Sequence, residues 1–285
     1  MRTGSSDLPR DWLHDTVARA LAEDLGDAGD VTSRACVPLS QEGTARIEAR
    51  EAGVLYGLEV VEEVFLQTCP DARFHWDTRD GEAFPAGRVI GSIQGATREL
   101  LTAERTALNF LQRLSGIATL TRRYVQAVAG TRVVILDTRK TTPGLRLLEK
   151  AAVRAGGGRN HRFGLADGVL IKDNHLAAAG GLRPAVEAVR ASAHHLLKIE
   201  VEVTSLAELE EALAAGAEAV LLDNMTVGEM AEAVQRAHGQ VLLEASGGVS
   251  LETVGAIART GVDFISVGKL THSAPALDLS LELEG

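Results

Sequence analysis

Six short apolar runs, each closed by a polar or charged cluster, constrain the chain from residue 133 onward more than any other feature. They are VVILDTRK (133–140), GVLIKDNH (168–175), KIEVEV (198–203), AVLLDN (219–224), QVLLEASGG (240–248) and FISVGK (264–269). Helical stretches separate most of them: RPAVEAVRASAHH, SLAELEEALAAGA, VGEMAEAVQRAH and LETVGAIARTG. Strands that alternate with helices run parallel, because a helix is the usual crossover between parallel strands. No Gly-x-Gly-x-x-Gly turn follows the first run. The pattern therefore predicts a βα barrel rather than a dinucleotide-binding sheet.

The first 130 residues follow other rules. PRDWLHDTVARALAEDL (9–25) reads as an amphipathic helix entered through a proline, and GDAGDVTS (26–33) as a loop. Between 44 and 95, TARIEAR, GVLYG, FHWDTRDGEAF and RVIGSIQG read as strands and turns around one helix, LEVVEEVFLQTC, a small α+β layer. Residues 101–129 form a long helix with Leu101, Leu108, Leu111, Leu114 and Ala118 on one face. Arg105, Asn109, Gln112 and Gly116 make a narrow polar stripe, which suits a solvent face or a site wall in which Arg105 reaches a ligand. The tail LDLSLELE (277–284) alternates at period two, which predicts a half-buried antiparallel strand pairing with the N-terminal layer.

A chain of 285 residues accommodates one large domain or two modest ones. It contains no 18-residue apolar run, and MRTGSSDLPRDWL has no apolar core of a secretory signal. Cys36 and Cys69 have no metal-ligand spacing and are expected as free thiols in a reducing cytoplasm. A net charge of −10 argues against nucleic acid. Yet residues 101–172 hold 13 Lys and Arg against 4 Asp and Glu. A basic tract inside an acidic chain points to a small anionic ligand held locally.

The C-terminal ends of barrel strands face the active site. Here they carry Arg139 and Lys140, Lys172 and Asp173, Glu200 and Glu202, Asp223 and Asn224, Glu244 and Ser246, then Lys269. Unpaired charge beside a core is costly, so these ends are expected to share a polar site. One side is cationic: Arg139, Lys140 and Lys172, with Arg159, His161 and Arg162 in GGGRNHR (156–162). Arg grips carboxylates with a planar fork. The other side is anionic: Glu202 and Asp223 could bind ribose hydroxyls, orient a diphosphate-bound Mg²⁺ or stabilise a developing positive charge. The turns Ser246–Gly247–Gly248 and Val267–Gly268–Lys269 follow late strands, where backbone N–H groups bind phosphate in barrels.

The segments LTAERTALNFLQRLSGIAT, ILDTRKTTPGLRLLEKAAVRAGGGRNHRFGLADGVLIKDNH, KIEVEV, AVLLDN, LLEASGGV and ISVGKLTHS resemble the quinolinate phosphoribosyltransferase family, also called nicotinate-nucleotide pyrophosphorylases (carboxylating). The resemblance runs from about residue 20 to the tail. It implies an N-terminal α/β sandwich domain, residues 1–115, joined by tail strand 275–285, and an open, incomplete α/β barrel of seven strands, residues 116–274. The residue pattern alone yields six strands. The resemblance also implies a cytoplasmic homodimer, hexameric in some members, whose neighbouring subunit completes each site with Arg105. Arg139, His161, Arg162 and Lys172 would surround quinolinate, and Thr138 would also bind substrate. Lys140, Glu202, Asp223 and the two glycine turns (246–248 and 267–269) would hold phosphoribosyl pyrophosphate and its Mg²⁺, with Glu202 and Asp223 reaching the metal directly or through water. Lys140, Lys172, Glu202 and Asp223 would carry the catalysis.

The implied reaction needs no organic cofactor. Departure of pyrophosphate leaves positive charge on the ribose, the pyridine nitrogen attacks, and the resulting pyridinium accepts the electrons freed as CO₂ leaves. Three rivals fit less of the pattern. An aldolase or isomerase could use Lys172 or Lys198 as a Schiff-base amine, but Lys198 begins its strand. A nicotinate phosphoribosyltransferase would need fewer cations. A non-catalytic nucleotide-binding module would not need Glu202 and Asp223 beside them.

Overall fold

The structure is a computed structural model, and it describes residues 8–284. The leading residues 1–7, part of the segment read for a secretory signal, and Gly285 at the end of the expected tail strand lie outside the described residues.

The N-terminal elements are α1 (Arg10–Leu25), α2 (Val31–Cys36), β1 (Glu42–Ala49), β2 (Gly53–Val54), α3 (Leu58–Thr68), β3 (Arg73–Trp76), β4 (Ala83–Phe84), β5 (Val89–Ala96) and α4 (Thr97–Ala127). There follow β6 (Val134–Leu136), α5 (Arg146–Ala155), β7 (Val169–Ile171), α6 (Asp173–Ala179), α7 (Leu182–Ser192), β8 (Ile199–Val203) and α8 (Leu206–Ala214). The chain ends with β9 (Ala219–Asp223), α9 (Val227–Ala237), β10 (Leu242–Ser246), α10 (Val254–Ala258), β11 (Phe264–Ser266), α11 (Lys269–His272) and β12 (Leu279–Leu283).

These elements form two compact units. The first holds the described residues up to Leu120, Thr142–Gly156 and the tail from Ala274. Its main sheet is antiparallel in the order β12-β1-β5-β3. β12 pairs with β1 from Ala45↔Leu283 to Ala49↔Leu279, so the alternating tail is the antiparallel strand its period-two pattern predicts, at the edge of the sheet. The expected boundary at 115/116 falls inside α4, which continues unbroken, and the units change at Leu120/Thr121. Residues 142–156, expected in the barrel, group with the first unit. A hydrogen-bond network accounts for this. The fully buried Glu149 accepts from Thr142 N (3.0 Å), Thr142 Oγ1 (2.8 Å) and Arg113 Nη2 of α4 (2.9 Å). Burying that carboxylate is tolerable only with these donors in place.

Two local readings change. Residues 31–33, expected in a loop, begin α2, because the Asp30 side chain accepts from Ser33 N at 2.8 Å and caps the helix. The stripe on α4 is only partly a solvent face. Arg105 and Asn109 are exposed, but Gln112 donates Nε2 to Leu279 O (2.7 Å) and accepts Leu277 N at its carbonyl (2.9 Å).

The second unit holds Thr121–Thr141 and Gly157–Ser273. Its sheet is parallel, in the order β6-β11-β10-β9-β8-β7. β6 and β7 are its edges and do not pair with each other, so the sheet is open, as the fold class expects. The seventh strand that the resemblance implies is reduced to one parallel bridge, Leu136↔Arg159. Arg159 N donates to Ile135 O (2.9 Å) and its carbonyl accepts Asp137 N (3.2 Å). The preceding glycines prevent a longer ladder: Gly157 adopts φ +96°, outside the strand region. Cys36 and Cys69 are free thiols, and no helix among the described residues is long and apolar enough to cross a membrane.

The tail's seat is testable. A Cβ on Gly116 would overlap the Pro275 carbonyl oxygen. Gly116→Ala should cost ~1–3 kcal/mol through overpacking, against at most ~1 kcal/mol gained in helix propensity. The expected result is a Tm lowered by several degrees in thermal unfolding, at ~2–4 °C per kcal/mol. An unchanged or raised Tm would show that the tail is not seated there.

Candidate active site

The parallel strands present their chemistry at alternate residues. In β8, Ile199, Val201 and Val203 are buried while Glu200 and Glu202 between them are half-buried. One face lies under apolar cover and the other looks into the sheet's interior. Register sets Glu202 beside Leu221, Glu244 beside Leu221 and Ser246 beside Asp223. Glu202 and Glu244 therefore stand level on either side of Leu221, with Glu200 below them and Asp223 and Ser246 above, toward the C-terminal strand ends. By their partners they sort into two tiers: Glu200 and Glu244 around His161 form the lower, and Glu202, Asp223 and Ser246 the upper.

The upper tier is built of turns and paired charges. Lys172 caps α6, taking His175 Nδ1 onto its backbone N–H (2.9 Å), while its ammonium is paired with Glu202. Asp223 accepts from Asn224 Nδ2 at 2.8 Å. Asn224 adopts φ +53° and donates its N–H to Ser246 O (2.9 Å). Gly247 at φ +86° lies so near the Asn224 side chain that a Cβ would collide with it. The Ser246–Gly247–Gly248 turn and Asn224 thus interlock, and glycine is required there. Val267 is buried and donates N–H to Leu136 O (2.9 Å). Gly268 lies against the Lys140 stem, and Lys269 is exposed at the start of α11. Lys140 itself is exposed, and its backbone is held at both ends. Its N–H donates to Thr138 Oγ1 (3.0 Å), and its carbonyl accepts from Thr271 Oγ1 (2.8 Å).

The lower tier meets the cationic loop. Asp137, fully buried at the end of β6, accepts from Asn160 Nδ2 (2.5 Å) and His161 N (2.9 Å). This clamps Arg159–Arg162 beside the strand. His161 then directs Nε2 at Glu200 Oε2 (3.2 Å) and Glu244 Oε2 (3.6 Å), while Nδ1 accepts the Arg162 N–H (2.7 Å). An accepting Nδ1 leaves the ring proton on Nε2, facing the two carboxylates. Arg139 and Arg162 are half-buried, and Arg162 donates Nη1 to Gly168 O (2.9 Å). Burial lowers the Arg162 pKa from its ordinary value and the nearby Arg139 charge lowers it further, against Glu200 and Asp167. Glu244 is 3% exposed. Burial, then the charge of Glu200, pushes its carboxyl up to about 7, opposed by His161, a Ser266 hydrogen bond and Lys172.

The structure thus brings together Thr138, Arg139, Lys140, His161, Arg162, Lys172, Glu202, Asp223, Ser246–Gly248 and Val267–Lys269 in one unit. Arg105 lies exposed in the other unit, on α4. A pocket of about 230 Å³, partly open to solvent, lies on the other side of the lower tier, lined by His161, Glu200 and Glu244 and, toward the N-terminal strand ends, by Lys198 and Leu242. It is not the mouth where Glu202 and Asp223 stand, and Lys198 is at the wrong end for chemistry there. Sequence reasoning missed three roles: Asp137 as the loop's clamp, and Glu200 and Glu244, counted among the strand-end charges, as partners of His161. Their signal was an acid set within an apolar run, in VVILD, KIEVEV and VLLEA.

Comparison with known proteins identifies the family of both parts of the chain. The N-terminal domain of quinolinate phosphoribosyl transferase matches residues 30–115 and its C-terminal domain residues 117–282. The chain is 48% identical to a protein of Mycobacterium leprae named nicotinate-nucleotide pyrophosphorylase [carboxylating], over 98% of this chain and 99% of that one. It is similar to the solved nicotinate-nucleotide pyrophosphorylase of Francisella tularensis, with a TM-score of 0.90 and 42% identity over 98% of both chains. It is also similar to NadC from Streptococcus pyogenes, with a TM-score of 0.94 and 42% identity over 98% of this chain and 99% of that one. With both domain models matched in order along nearly the whole chain, this protein belongs to the quinolinate phosphoribosyl transferase family.

Proposed function

We propose that the protein transfers the phosphoribosyl group of phosphoribosyl pyrophosphate to quinolinate and releases CO₂. The products are nicotinate mononucleotide and pyrophosphate, and the reaction serves NAD biosynthesis. The observation that carries this reading is the Lys172–Glu202 pair. It joins a cationic patch suited to two carboxylates, Arg139 and Arg162 with Lys172, to an acid-and-glycine tier suited to a phosphorylated sugar. Acceptor and donor can then meet at one place, which converts a bimolecular step into an oriented one.

Each role follows from charge. Arg139, Arg162 and Lys172 grip the quinolinate carboxylates, and Thr138 and His161 belong to the same pocket. Lys140, the Ser246–Gly248 turn and the Val267–Lys269 turn receive the phosphates of the donor. Glu202 and Asp223 face the ribose and stabilise positive charge as pyrophosphate departs. Their hard oxygen donors fit Mg²⁺, which would neutralise diphosphate charge there, held by the two carboxylates directly or through water. Once the nitrogen is ribosylated, the pyridinium accepts the electron pair left when CO₂ leaves C2. The substrate builds its own electron sink, so no organic cofactor is required. The reading includes a homodimer, or a hexamer built from such dimers, in which the neighbouring subunit supplies Arg105 to each site. It places the protein in the cytoplasm, where its two free thiols are stable.

Incubating the protein with Mg²⁺, phosphoribosyl pyrophosphate and quinolinate should yield CO₂ and nicotinate mononucleotide together. Equal turnover of nicotinate without CO₂ would sink the proposal. Arg139→Ala should raise the quinolinate KM roughly 10- to 100-fold, from the ~1.5–3 kcal/mol of a charge-assisted bond. Glu202→Gln or Asp223→Asn should lower kcat by on the order of 10² with a smaller effect on quinolinate KM; the opposite split in steady-state kinetics would move these acids away from the reacting ribose. Equal amounts of inactive Arg105→Ala and Arg139→Ala subunits, once exchanged, should recover about a quarter of wild-type activity, because half the dimers are hybrids with one intact site of two. No recovery despite verified exchange would refute the shared site.

A further inference from the structure

The cations proposed for quinolinate already face acids. Lys172 is paired with Glu202, the Glu200 charge acts on Arg162, and the Lys172 charge acts on Glu244. Glu200 and Glu244 lie around one imidazole, and His161 directs a single ring proton at both. A substrate with two carboxylates must take over those cations, which brings two more negative charges to an interior where two acids already repel each other. Inside a protein the least costly response is to protonate one carboxyl.

Glu244 is placed to accept that proton. Its side chain is almost wholly buried, and its Oε1 has no hydrogen-bond partner, so protonation there breaks no existing bond. The groups facing it are Glu200 from β8, His161 and Arg162 from the loop beside β6, Lys172 from the end of β7 and Ser266 from β11. At this level β9 offers only apolar Leu221, and beyond it β8 carries Glu202, whose charge is paired with Lys172. The pocket of about 230 Å³ reaches Glu244 and is also lined by exposed Lys198. It has room for several waters at ~30 Å³ each, and so for proton exchange with solvent.

We propose that Glu244, sharing its proton with His161, takes up one proton as quinolinate binds, and so acts as the charge-compensating residue of the quinolinate site. The proposal rests on the reading of quinolinate as substrate. Its sign follows from linkage: a complex that holds more protons than the free protein weakens as pH rises. Burial and the Glu200 charge push the unliganded Glu244 carboxyl up to about 7. Above that pH the quinolinate Kd should climb by up to about tenfold per pH unit until Glu244 also ionises in the complex.

The test is calorimetric titration of the full-length protein with quinolinate, in phosphate and in Tris, which differ in ionisation enthalpy. At pH 8 the wild type should take up close to one proton per site, and fewer at pH 6. Glu244→Gln, a neutral isostere of the protonated acid, should take up none, show a flat Kd between pH 6.5 and 8.5, and bind at least as tightly as wild type at pH 8. Glu200→Gln removes the like charge, so the pH at which wild-type affinity begins to fall should move lower. Failure of the wild type to bind quinolinate would overturn the functional reading and this inference together. Binding without proton uptake, equal uptake in Glu244→Gln, or no pH shift in Glu200→Gln would overturn this inference alone.

Discussion

One buried carboxylate organises the site. Asp137 has no exposure, stands at the end of β6, and spends its oxygens on Asn160 and the His161 backbone. These bonds take the place of the missing ladder where the parallel sheet is open. They fix the glycine-rich segment against a strand it pairs with at a single residue. They also set the positions of His161 and Arg162, and through them the meeting of the cationic patch with Glu200 and Glu244. Without such donors a buried carboxylate would cost several kcal/mol. Structural necessity and site placement are therefore met by the same bonds.

Charge balance governs the rest of the interior. Acids and cations share one unit, and the acids stand on alternate residues of strands whose other face is apolar. The upper tier pairs Glu202 with Lys172 and backs Asp223 with Asn224. The lower tier holds two carboxylates around a single imidazole. Under the proposed function these acids balance the patch while no substrate is present and yield when a dianion arrives. Both tiers follow from two-residue periodicity, since one strand contributes an acid to each.

Much of this was legible in the chain. Six apolar runs with helices between them gave the parallel sheet, and strict alternation gave the tail strand. The strand-end charges named most of the site, because charge beside a core has few structural uses. What was illegible depended on partners distant in sequence. Asp30 read as loop until its carboxylate was seen to cap Ser33. Gln112 and Gly116 belonged to a polar stripe whose occupant, the tail at 275–279, lies more than 150 residues away. The acid in VLLEA looked like one more strand-end charge, although it is a buried carboxyl with a raised pKa.

The sequence by itself determined the βα order, the tail's return as a strand, the inventory of cations, acids and glycine turns, and the family. Those depend on local periodicity and on residue types at fixed spacing. Only the tertiary structure decided that the seventh strand is one bridge, that residues 142–156 pack with the first unit through Glu149, and that His161 turns its proton toward Glu200 and Glu244. Each of those outcomes depends on which donor meets which acceptor across long sequence separations. Burial then sets the cost of leaving any of those groups unmet.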